Sequence, residues 1–469
     1  MRGKGSITKG NEDENENRNK KENARGYALK LLKEIEEGAY ANIVLNRLLS
    51  RISLIEEERS FLTELFYGVL QRLNTLDWIL SLYLTSPLDK LTPWIRNILR
   101  LGVFQLLYLK RIPASAAVDE SVKLALRFGH KGVAGLVNAV LRKVDRLKEE
   151  IPWPSRSGDP FLYLSLVYSF PLWIVRRWIG QMGLDEAEKL CQANNAVPPL
   201  SIRTNTLKTT PGRLKVLLEE EGIKADPCRY APEGLVLHLT KRLTSLDSFQ
   251  EGLFQIQGEA SMLVAPLVNP KAGERVLDLC SAPGGKTLHM AMLMGNKGRI
   301  LAADMYPHRL ELLEKMMKRH NIKIVRTEKL DGRSISSSEY GSYDRVLLDV
   351  PCSGLGVVRR KGELKWRRKE EDIFSLARLQ ADLLRCAFKA LKPGGVLVYS
   401  ACSTEPEETR EIIYAFLQEE SSASLALLAP LLPEELRSQE KEEGTIYFYP
   451  HKHGLDGFFM ARIRKKGND

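Results

Sequence analysis

The sequence predicts a multi-domain chain in which an all-α domain is followed by a small α/β subdomain and then by a doubly wound α/β domain. Its 469 residues exceed what one hydrophobic core usually organises. Apolar residues recur at helical spacing through the first third of the chain, with no strand alternation between them. From Lys271 onward, short apolar runs alternate with helical stretches, the pattern of a parallel sheet covered by helices on both faces.

The composition narrows the classes of protein and partner. Hydrophobic residues make up 43% of the chain and the formal net charge is +11, so we expect a folded protein with a polyanionic partner such as nucleic acid. The start is polar and no run of about 18 apolar residues follows, so the sequence predicts a cytoplasmic protein without a membrane segment. The 6 cysteines include no C-x-x-C pair, so neither a disulfide framework nor a metal site is expected.

The first two regions differ in their content of apolar residues. Residues 1–23 have too few to bury and are predicted to be a disordered polar tail. Residues 24–147 are predicted to form the all-α domain. Within it, Thr92 and Pro93 are typical of a helix N-cap and first helical position. Apolar residues then follow at helical spacing: Ile95, Ile98, Leu99, Val103, Leu106 and Leu107.

The remaining regions contain the strand candidates. Residues 148–270 include the breaker-rich segment IPWPSRSGDP and then the short candidates SIRTN, LVLHL and LFQIQ, which predicts a linker and a small α/β subdomain. Residues 271–469 contain the candidates RVLDLC, RILAADM, YDRVLLDV and GGVLVYSA between helical stretches, and the segment TIYFYPHKHGLDGFFMARIRK is predicted to be a closing hairpin. Ligands of such sheets bind beyond the carboxyl ends of the strands.

A glycine turn follows the first strand of the last domain, in the segment DLCSAPGGKT. Glycine lets the backbone approach a ligand, and the helix that follows offers amide donors. A phosphate loop is excluded because Cys280 stands where that motif needs glycine, and no G-x-G-x-x-G is present. The second strand ends at Asp304, which is placed to accept from ribose hydroxyls, and the next ends near Asp331, which is placed to accept from an adenine amino group. These strand ends predict an adenosyl ligand, although a turn is an equally good interpretation of Asp331 alone.

Two neighbouring strands are each followed by a cysteine, Cys352 in DVPCSG and Cys402 in YSACS. One such cysteine is more often a small buried residue, but two beside an adenosyl site indicate chemistry. Methylation of a pyrimidine at C5 needs a thiolate next to a methyl donor, because C5 becomes nucleophilic only after the thiolate adds to C6. Asp349, at the end of the fourth strand, is then placed to hold the N3–N4 edge of cytosine.

These segments resemble the bacterial RNA 5-methylcytosine methyltransferases of the Sun, or RsmB, type, from about residue 24 to the end. DLCSAPGGKT, DVPCSGLGVVRR, KW and ACSTEPEE are similar to the catalytic signatures of that family, and LFQIQGEASMLVAPLVNP to the segment that leads into its catalytic domain. The segments LRLGVFQLLYLKRIPASAAVDESVKLALRFG and AGLVNAVLRKV are similar to its NusB-like N-terminal domain.

The resemblance implies a Rossmann-like domain that binds S-adenosylmethionine and methylates a cytosine in small-subunit (16S) ribosomal RNA, as do the enzymes that modify the cytosine at position 967. It implies Cys402 as the nucleophile that forms a covalent adduct with C6, and Cys352 as the thiol that assists product release. Asp349 completes the catalytic set. The implied cofactor residues are Cys280, Ser281, Ala282, Pro283, Gly284, Gly285, Lys286, Asp304, Asp331 and Asp349.

The chain departs from the family pattern in two places. Ala401 stands before Cys402 where the family usually has threonine, so one hydroxyl group near the thiol is absent. The stretch Lys361–Trp366 lacks the usual proline, and we expect a more flexible loop there.

A basic strip, Val358–Lys369, follows Cys352 and has the sequence VRRKGELKWRRK. Although a charge run is usually a solvated surface, an aromatic residue within one beside an active site favours phosphate binding together with base stacking. The predicted RNA-binding residues are Arg359, Arg360, Trp366, Arg367 and Arg368.

The expected partner is ribosomal RNA of the small subunit, bound in an unpaired or opened region because C5 and C6 must be reached, and we expect the protein to act as a monomer. Two alternatives stay open. One is an RNA-binding assembly or antitermination factor without catalysis, against which the intact set of Asp349, Cys352 and Cys402 argues. The other is a transfer-RNA cytosine-5 methyltransferase, which the helical N-terminal domain disfavours by analogy only.

Overall fold

The structure is a computed structural model, which describes residues 22–238, 243–440 and 443–467. The chain divides into two compact units, residues 1–172 and 173–469. The predicted polar tail lies outside the described residues up to residue 21. In the described part of the chain, no helix combines the length and the apolar character needed to cross a membrane.

The first unit is helical throughout, as predicted. Thr92 caps a helix by accepting from Ile95 N, with Pro93 at the first helical position, which confirms the predicted start. The apolar faces of these helices pack into one core that includes Leu29, Phe66 and Ile98. The helices are α1 (Ala24–Glu36), α2 (Ala41–Arg51), α3 (Glu56–Tyr83), α4 (Pro93–Tyr108), α5 (Ala114–Phe128), α6 (Lys131–Leu147) and α7 (Pro160–Val167).

Both ends of this unit differ from the predicted boundaries of 24 and 147. Asn23, assigned to the tail, is the N-cap of α1, because its side chain accepts from Gly26 N over 3.0 Å. At the other end the unit extends to Leu172, because α7 and the turn after it are bonded to α3. Thr75 Oγ1 donates to the carbonyl of Leu166 over 2.6 Å, for example.

The second unit begins with two helices and a small four-stranded sheet. The three strands predicted here are confirmed as β1, β3 and β4, and a further strand, β2, pairs with β3. The strand order is β2-β3-β1-β4, with antiparallel pairing throughout. The elements are α8 (Leu172–Met182), α9 (Leu184–Asn195), β1 (Leu200–Thr204), α10 (Pro211–Glu220), β2 (Lys224–Pro227), β3 (Gly234–His238), α11 (Asp247–Gln250) and β4 (Phe254–Ile256).

The rest of the unit is the doubly wound domain, whose sheet has the order β10-β12-β9-β8-β5-β6-β7, with β11 also paired to β12. The strands are β5 (Arg275–Asp278), β6 (Arg299–Asp304), β7 (Val325–Lys329), β8 (Tyr343–Asp349), β9 (Leu391–Ala401), β10 (Ala423–Leu425), β11 (Thr445–Phe448) and β12 (Phe458–Lys465). The five strands from β5 to β9 are parallel, and β12 runs antiparallel to β9.

Helices connect these strands: α12 (Glu259–Met262), α13 (Val264–Val268), α14 (Gly285–Leu293), α15 (Pro307–His320), α16 (Leu364–Arg367), α17 (Glu370–Ala390), α18 (Arg410–Glu419), α19 (Glu434–Arg437) and α20 (Pro450–His453). The closing hairpin is confirmed, since β11 and β12 pair antiparallel. Strand β12 is not at the edge, however, because it also pairs with β9.

Candidate active site

Strands β8 and β9 bring the two cysteines together. The strands are parallel, and Asp349 lies opposite Ser400 in their register. Both strands therefore end at the same edge of the sheet. Beyond this edge, Cys352 Sγ and Cys402 Sγ lie 3.1 Å apart, and both residues are partly accessible. The sequence places the two cysteines after neighbouring strands, and the structure brings their sulfur atoms together at this edge.

The surroundings of the thiols distinguish one from the other. The hydrogen bond with Cys402, together with burial and the charge of Glu408, raises the pKa of Cys352 well above the ordinary value of a thiol. The hydrogen bond from Cys352 lowers the pKa of Cys402, and the ammonium groups of Lys286 and Lys361 act in the same direction. Burial and Asp349 oppose this. Of the two thiols, Cys402 is therefore the one that loses its proton more readily.

Asp349 links the strand edge to the glycine turn. Its Oδ2 accepts from Lys286 Nζ over 2.6 Å, and its Oδ1 accepts from Ser400 Oγ over 2.7 Å. The side chain remains 30% exposed. The carboxylate is thus fixed in orientation but still faces the space next to the thiols.

A cavity of about 170 Å³ opens beside Asp349. The predicted cofactor residues from Cys280 to Lys286 all line it, so the geometry brings this part of the predicted site together. Gly284 has φ +110, a backbone conformation that a side chain rarely adopts. A Cβ atom there would also lie 2.2 Å from Leu313, so the turn depends on glycine at this position.

The sequence prediction missed several residues of this cavity. They are Gln255, Ile256, Gln257, Ser261, Asp278 and Met316. The first three belong to the segment LFQIQ, whose two glutamines were a signal that it does more than form a strand. Gln257 Nε2 donates to the carbonyl of Ser261 over 3.0 Å, and its Oε1 accepts from Arg203, which is fully buried.

Asp278 is the buried acid of the cavity. Thr287 Oγ1 donates to its Oδ2 over 2.6 Å, and its Oδ1 has no hydrogen-bond partner in the described structure. Burial raises the pKa of Asp278 to about 7, and the nearby Asp349 acts in the same direction.

The other two predicted carboxylates do not line the cavity. Asp304 is buried behind the glycine turn, where it accepts from Ala282 N over 3.2 Å and Tyr306 N over 3.0 Å. It therefore shapes the turn directly. Asp331 lies near the surface and binds the guanidinium group of Arg333, which lowers its pKa. Its predicted contact with adenine stays a prediction.

The basic strip is folded against the site. The expectation of a flexible loop at Lys361–Trp366 differs from the structure, in which Leu364–Arg367 form α16 and Lys365 is fully buried. Arg359 and Arg360 both bind Asp456, and Arg368 donates to the carbonyl of Ser353 over 2.9 Å. These arginines therefore have internal partners.

Trp366 and Arg367 are half-buried, and the ammonium group of Lys365 lies 5.0 Å from the Trp366 ring centre. Lys361 and Lys369 are exposed. RNA binding by the strip stays a prediction. Within the described residues, no group of three or more histidine, cysteine, aspartate or glutamate side chains is arranged to hold a metal ion.

Three family models match consecutive parts of the chain. The model described as 16S rRNA methyltransferase RsmB/F matches residues 265–464. The NusB family matches residues 22–146, and the ferredoxin-like domain of the RsmF/B-like methyltransferases matches residues 170–243. The three-part fold predicted from the sequence is therefore confirmed, with the small subdomain now assigned as ferredoxin-like.

Relatives match this chain over nearly its whole length. The chain is 38% identical over 451 residues to the probable ribosomal RNA small subunit methyltransferase B of Bacillus subtilis, which covers 96% of this chain and 100% of that protein. It is 33% identical over 451 residues to ribosomal RNA small subunit methyltransferase B of Salmonella newport, with 95% and 100% covered.

A solved structure, that of NSun6 from Pyrococcus horikoshii with SFG, superposes with a TM-score of 0.57 at 25% identity and covers 64% of this chain and 100% of that chain. The paired cysteines beyond the sheet, the glycine-turn cavity and the near full-length similarity lead to one conclusion: this chain belongs to the RsmB/F family of 16S ribosomal RNA methyltransferases.

Proposed function

We propose that this protein transfers a methyl group from S-adenosylmethionine to C5 of a cytosine in 16S ribosomal RNA, through a covalent bond between Cys402 and C6. The observation that supports it most strongly is the pair of thiols 3.1 Å apart beside the cavity of the glycine turn. Methylation of an exocyclic amine requires no thiol, whereas methylation at C5 requires one.

Cys402 is the proposed nucleophile because its pKa is lowered, first by the hydrogen bond from Cys352, whereas the pKa of Cys352 is raised. Its sulfur forms a bond to C6, and the electrons of the C5–C6 double bond move to C5, which then takes the methyl group. Lys286 and Lys361 lower the pKa of Cys402 and so increase its thiolate fraction at neutral pH.

The cavity fits a cationic adenosyl cofactor. Asp278 supplies a buried carboxylate with one oxygen that has no partner, and Asp349 supplies a second carboxylate at the thiol side. The residues proposed to hold S-adenosylmethionine are those from Cys280 to Lys286, with Asp304 behind the turn. When bound, the cofactor supplies an electrophilic methyl group. Carboxylates that line the cavity favour binding of the cofactor because its sulfonium group is positively charged.

Asp349 is proposed to orient the base. Lys286 and Ser400 fix its carboxylate, and the side chain remains partly exposed, so its oxygens can accept a further hydrogen bond. An acceptor there suits the N4 amino group of cytosine and a protonated N3. The same contact favours the electron-poor ring that Cys402 attacks.

Cys352 is proposed to serve product release. After methylation, the proton on C5 must leave, the C5–C6 double bond must re-form, and the bond from C6 to Cys402 must break with return of the electron pair to sulfur. Cys352 is within contact distance of Cys402. In this step Cys352 first loses its proton to solvent, and its thiolate then accepts the proton from C5 and becomes a thiol again as the bond from C6 to Cys402 breaks.

The proposed substrate is an unpaired or opened region of small-subunit ribosomal RNA, with the cytosine at position 967 as the specific candidate. The names of the relatives and the NusB match support an RNA substrate, as does the net charge of +11. We propose that the protein acts on it as a monomer in the cytoplasm, where ribosomal RNA is made.

Nucleoside mass spectrometry tests this proposal. Purified protein, S-adenosylmethionine carrying a labelled methyl group, and 16S ribosomal RNA should yield labelled 5-methylcytidine, and sequencing should place it at one position. Transfer RNA in a parallel reaction should remain unlabelled. Label on N4, label only in transfer RNA, or no label despite bound cofactor would each overturn the proposal.

A further inference from the structure

Glu408 is a fully buried carboxylate that lies behind the two thiols, in the turn Pro406–Glu408 that follows β9. Its Oε1 accepts from Ser353 N over 2.7 Å. Its Oε2 accepts from the hydroxyl groups of Ser353 and Ser403. Ser353 follows Cys352 and Ser403 follows Cys402, so one carboxylate binds the residue next to each thiol.

Further contacts fix Glu408 itself. Gln380 Nε2 donates to its Oε1 over 3.1 Å and to the carbonyl of Pro351 over 2.9 Å. Tyr399 OH donates to the backbone carbonyl of Glu408 over 2.7 Å. Gln380 and Tyr399 are themselves fully buried. Gln380 of α17 thus holds the carboxylate of Glu408, and Tyr399 of β9 holds its backbone.

We propose that Glu408 is a positioning residue that holds Cys352 and Cys402 in reacting geometry by binding the serine after each. The inference rests on the proposed function for the roles of the two thiols. It goes further because it names Glu408 as the residue that sets the distance between the two sulfur atoms.

The groups around Glu408 suit a carboxylate. Two hydroxyl groups, one backbone amide and one side-chain amide converge on its two oxygens, each of which can accept two hydrogen bonds. Glutamine has nearly the same shape, but its NH₂ group would face hydroxyl donors. The substitution Glu408→Gln therefore keeps the volume and removes both the charge and part of the bonding.

The charge of Glu408 also acts on the nearer thiol. It raises the pKa of Cys352, as do the hydrogen bond with Cys402 and burial, while the amide of Gly354 opposes them. The phenol of Tyr399 also faces Cys352. Cys402 instead faces Lys286, Lys361 and Asp349. Loss of the Glu408 charge should thus lower the pKa of Cys352.

Glu408→Gln in the full-length protein tests the inference through two measurements. The kcat of methyl transfer should fall by about 100-fold, as expected for displaced reacting groups, while the Kd for S-adenosylmethionine stays unchanged by calorimetry. Alkylation of Cys352 by iodoacetamide, followed by peptide mass spectrometry against pH, should shift to lower pH. The second measurement needs neither RNA nor cofactor.

Glu405→Gln is the matched control. Glu405 is equally buried and three residues away, but its side chain binds Arg177, Gln181 and Trp178 instead of the serines. This variant should lower the melting temperature without shifting the alkylation profile of Cys352. If both variants shift the profile equally, or neither does, the positioning role is wrong.

Ser353→Ala and Ser403→Ala cover the case in which Glu408→Gln does not fold. Each removes one contact and keeps the carboxylate, and each should lower kcat with an unchanged cofactor Kd. Unchanged kcat in both would overturn the inference. If the wild-type protein methylates no RNA but Glu408→Gln still shifts the alkylation profile of Cys352, the proposed function is wrong and the positioning of the thiols stands.

Discussion

Lys286 Nζ donates to Asp349 Oδ2 over 2.6 Å, which joins the glycine turn after β5 to the end of β8. The same ammonium group lowers the pKa of Cys402. This one lysine therefore connects the cavity, Asp349 and Cys402.

We expect Lys286→Met to shift the pH dependence of methyl transfer to higher pH. Without the cation, the pKa of Cys402 rises, so a smaller fraction is thiolate at neutral pH. The loss in kcat/KM should be larger at pH 6.5 than at pH 8.5. Lys392→Met is the control, because Lys392 pairs with Asp344 over 2.6 Å at the amino ends of β9 and β8, away from the thiols. An equal loss at both pH values would argue against this role of Lys286.

The sequence predicts much of this arrangement because parallel strands that end in polar residues must present them at one edge. DLCSAPGGKT, Asp349, Cys352 and Cys402 all lie where the pattern places them. The contact of Glu408 with Ser353 was not predictable, because these residues are 55 positions apart in the sequence. The basic strip was predicted from its charge, its tryptophan and its place after Cys352, and none of these reveals that Arg359 and Arg360 share Asp456.

The two thiols should give opposite results in an adduct experiment. Cys402→Ala should be inactive and form no adduct, because the nucleophile is missing, whereas Cys352→Ala should methylate once and stay joined to RNA. A denaturing gel after incubation with RNA and S-adenosylmethionine reports the adduct.

Cys386→Ala is the control for these variants, since Cys386 lies on α17 and contacts the carbonyl of Arg333. It should turn over normally. A trapped complex from Cys402→Ala and none from Cys352→Ala would reverse the assignment, and full turnover by both would return the two cysteines to a structural role.

Asp304→Ala should weaken binding of S-adenosylmethionine by about 1.5 to 3 kcal/mol, the range for a lost charge-assisted hydrogen bond. Part of this loss should come from a less well ordered glycine turn, because Asp304→Ala also removes the acceptor for Ala282 N. Calorimetry measures it. Asp331→Ala is the comparison, because Asp331 lies outside the lining of the cavity and binds Arg333. A larger loss from Asp331→Ala than from Asp304→Ala would contradict the geometry.

The basic strip should separate into structural and RNA-binding members. Arg359→Ala should lower the melting temperature, because Arg359 and Asp456 are both buried and paired. The double variant Lys361→Ala, Lys369→Ala should leave the melting temperature unchanged and flatten the salt dependence of RNA binding by about 0.7 to 0.9 in log–log slope per lost phosphate contact.

Lys323→Ala is the control for the strip, since Lys323 is exposed just before β7, at the amino end of the parallel strands. It should leave the salt slope unchanged. Equal slopes for the wild type and the double lysine variant would show that these lysines do not contact RNA.

Asp278→Asn should stabilise the protein above neutral pH. Burial raises the pKa of Asp278 to about 7 in the folded state, against an unfolded value near 3.9. The folded state therefore favours the protonated form of Asp278. The contribution of this group to the free energy of unfolding is greatest below about pH 4 and is lost as the pH rises through about 7. Asparagine keeps an acceptor for Thr287 but carries no charge, so the penalty disappears.

The gain in unfolding free energy from Asp278→Asn should be about 1 to 4 kcal/mol at pH 8, by the conversion of about 1.4 kcal/mol per pKa unit, and close to zero at pH 4. Urea unfolding without cofactor at both pH values measures it. The same variant should bind S-adenosylmethionine more weakly at pH 8, because it lacks the negative charge proposed to face the sulfonium group. A variant less stable than the wild type at pH 8 would show that the Asp278 charge is better compensated than its single partner, Thr287, suggests.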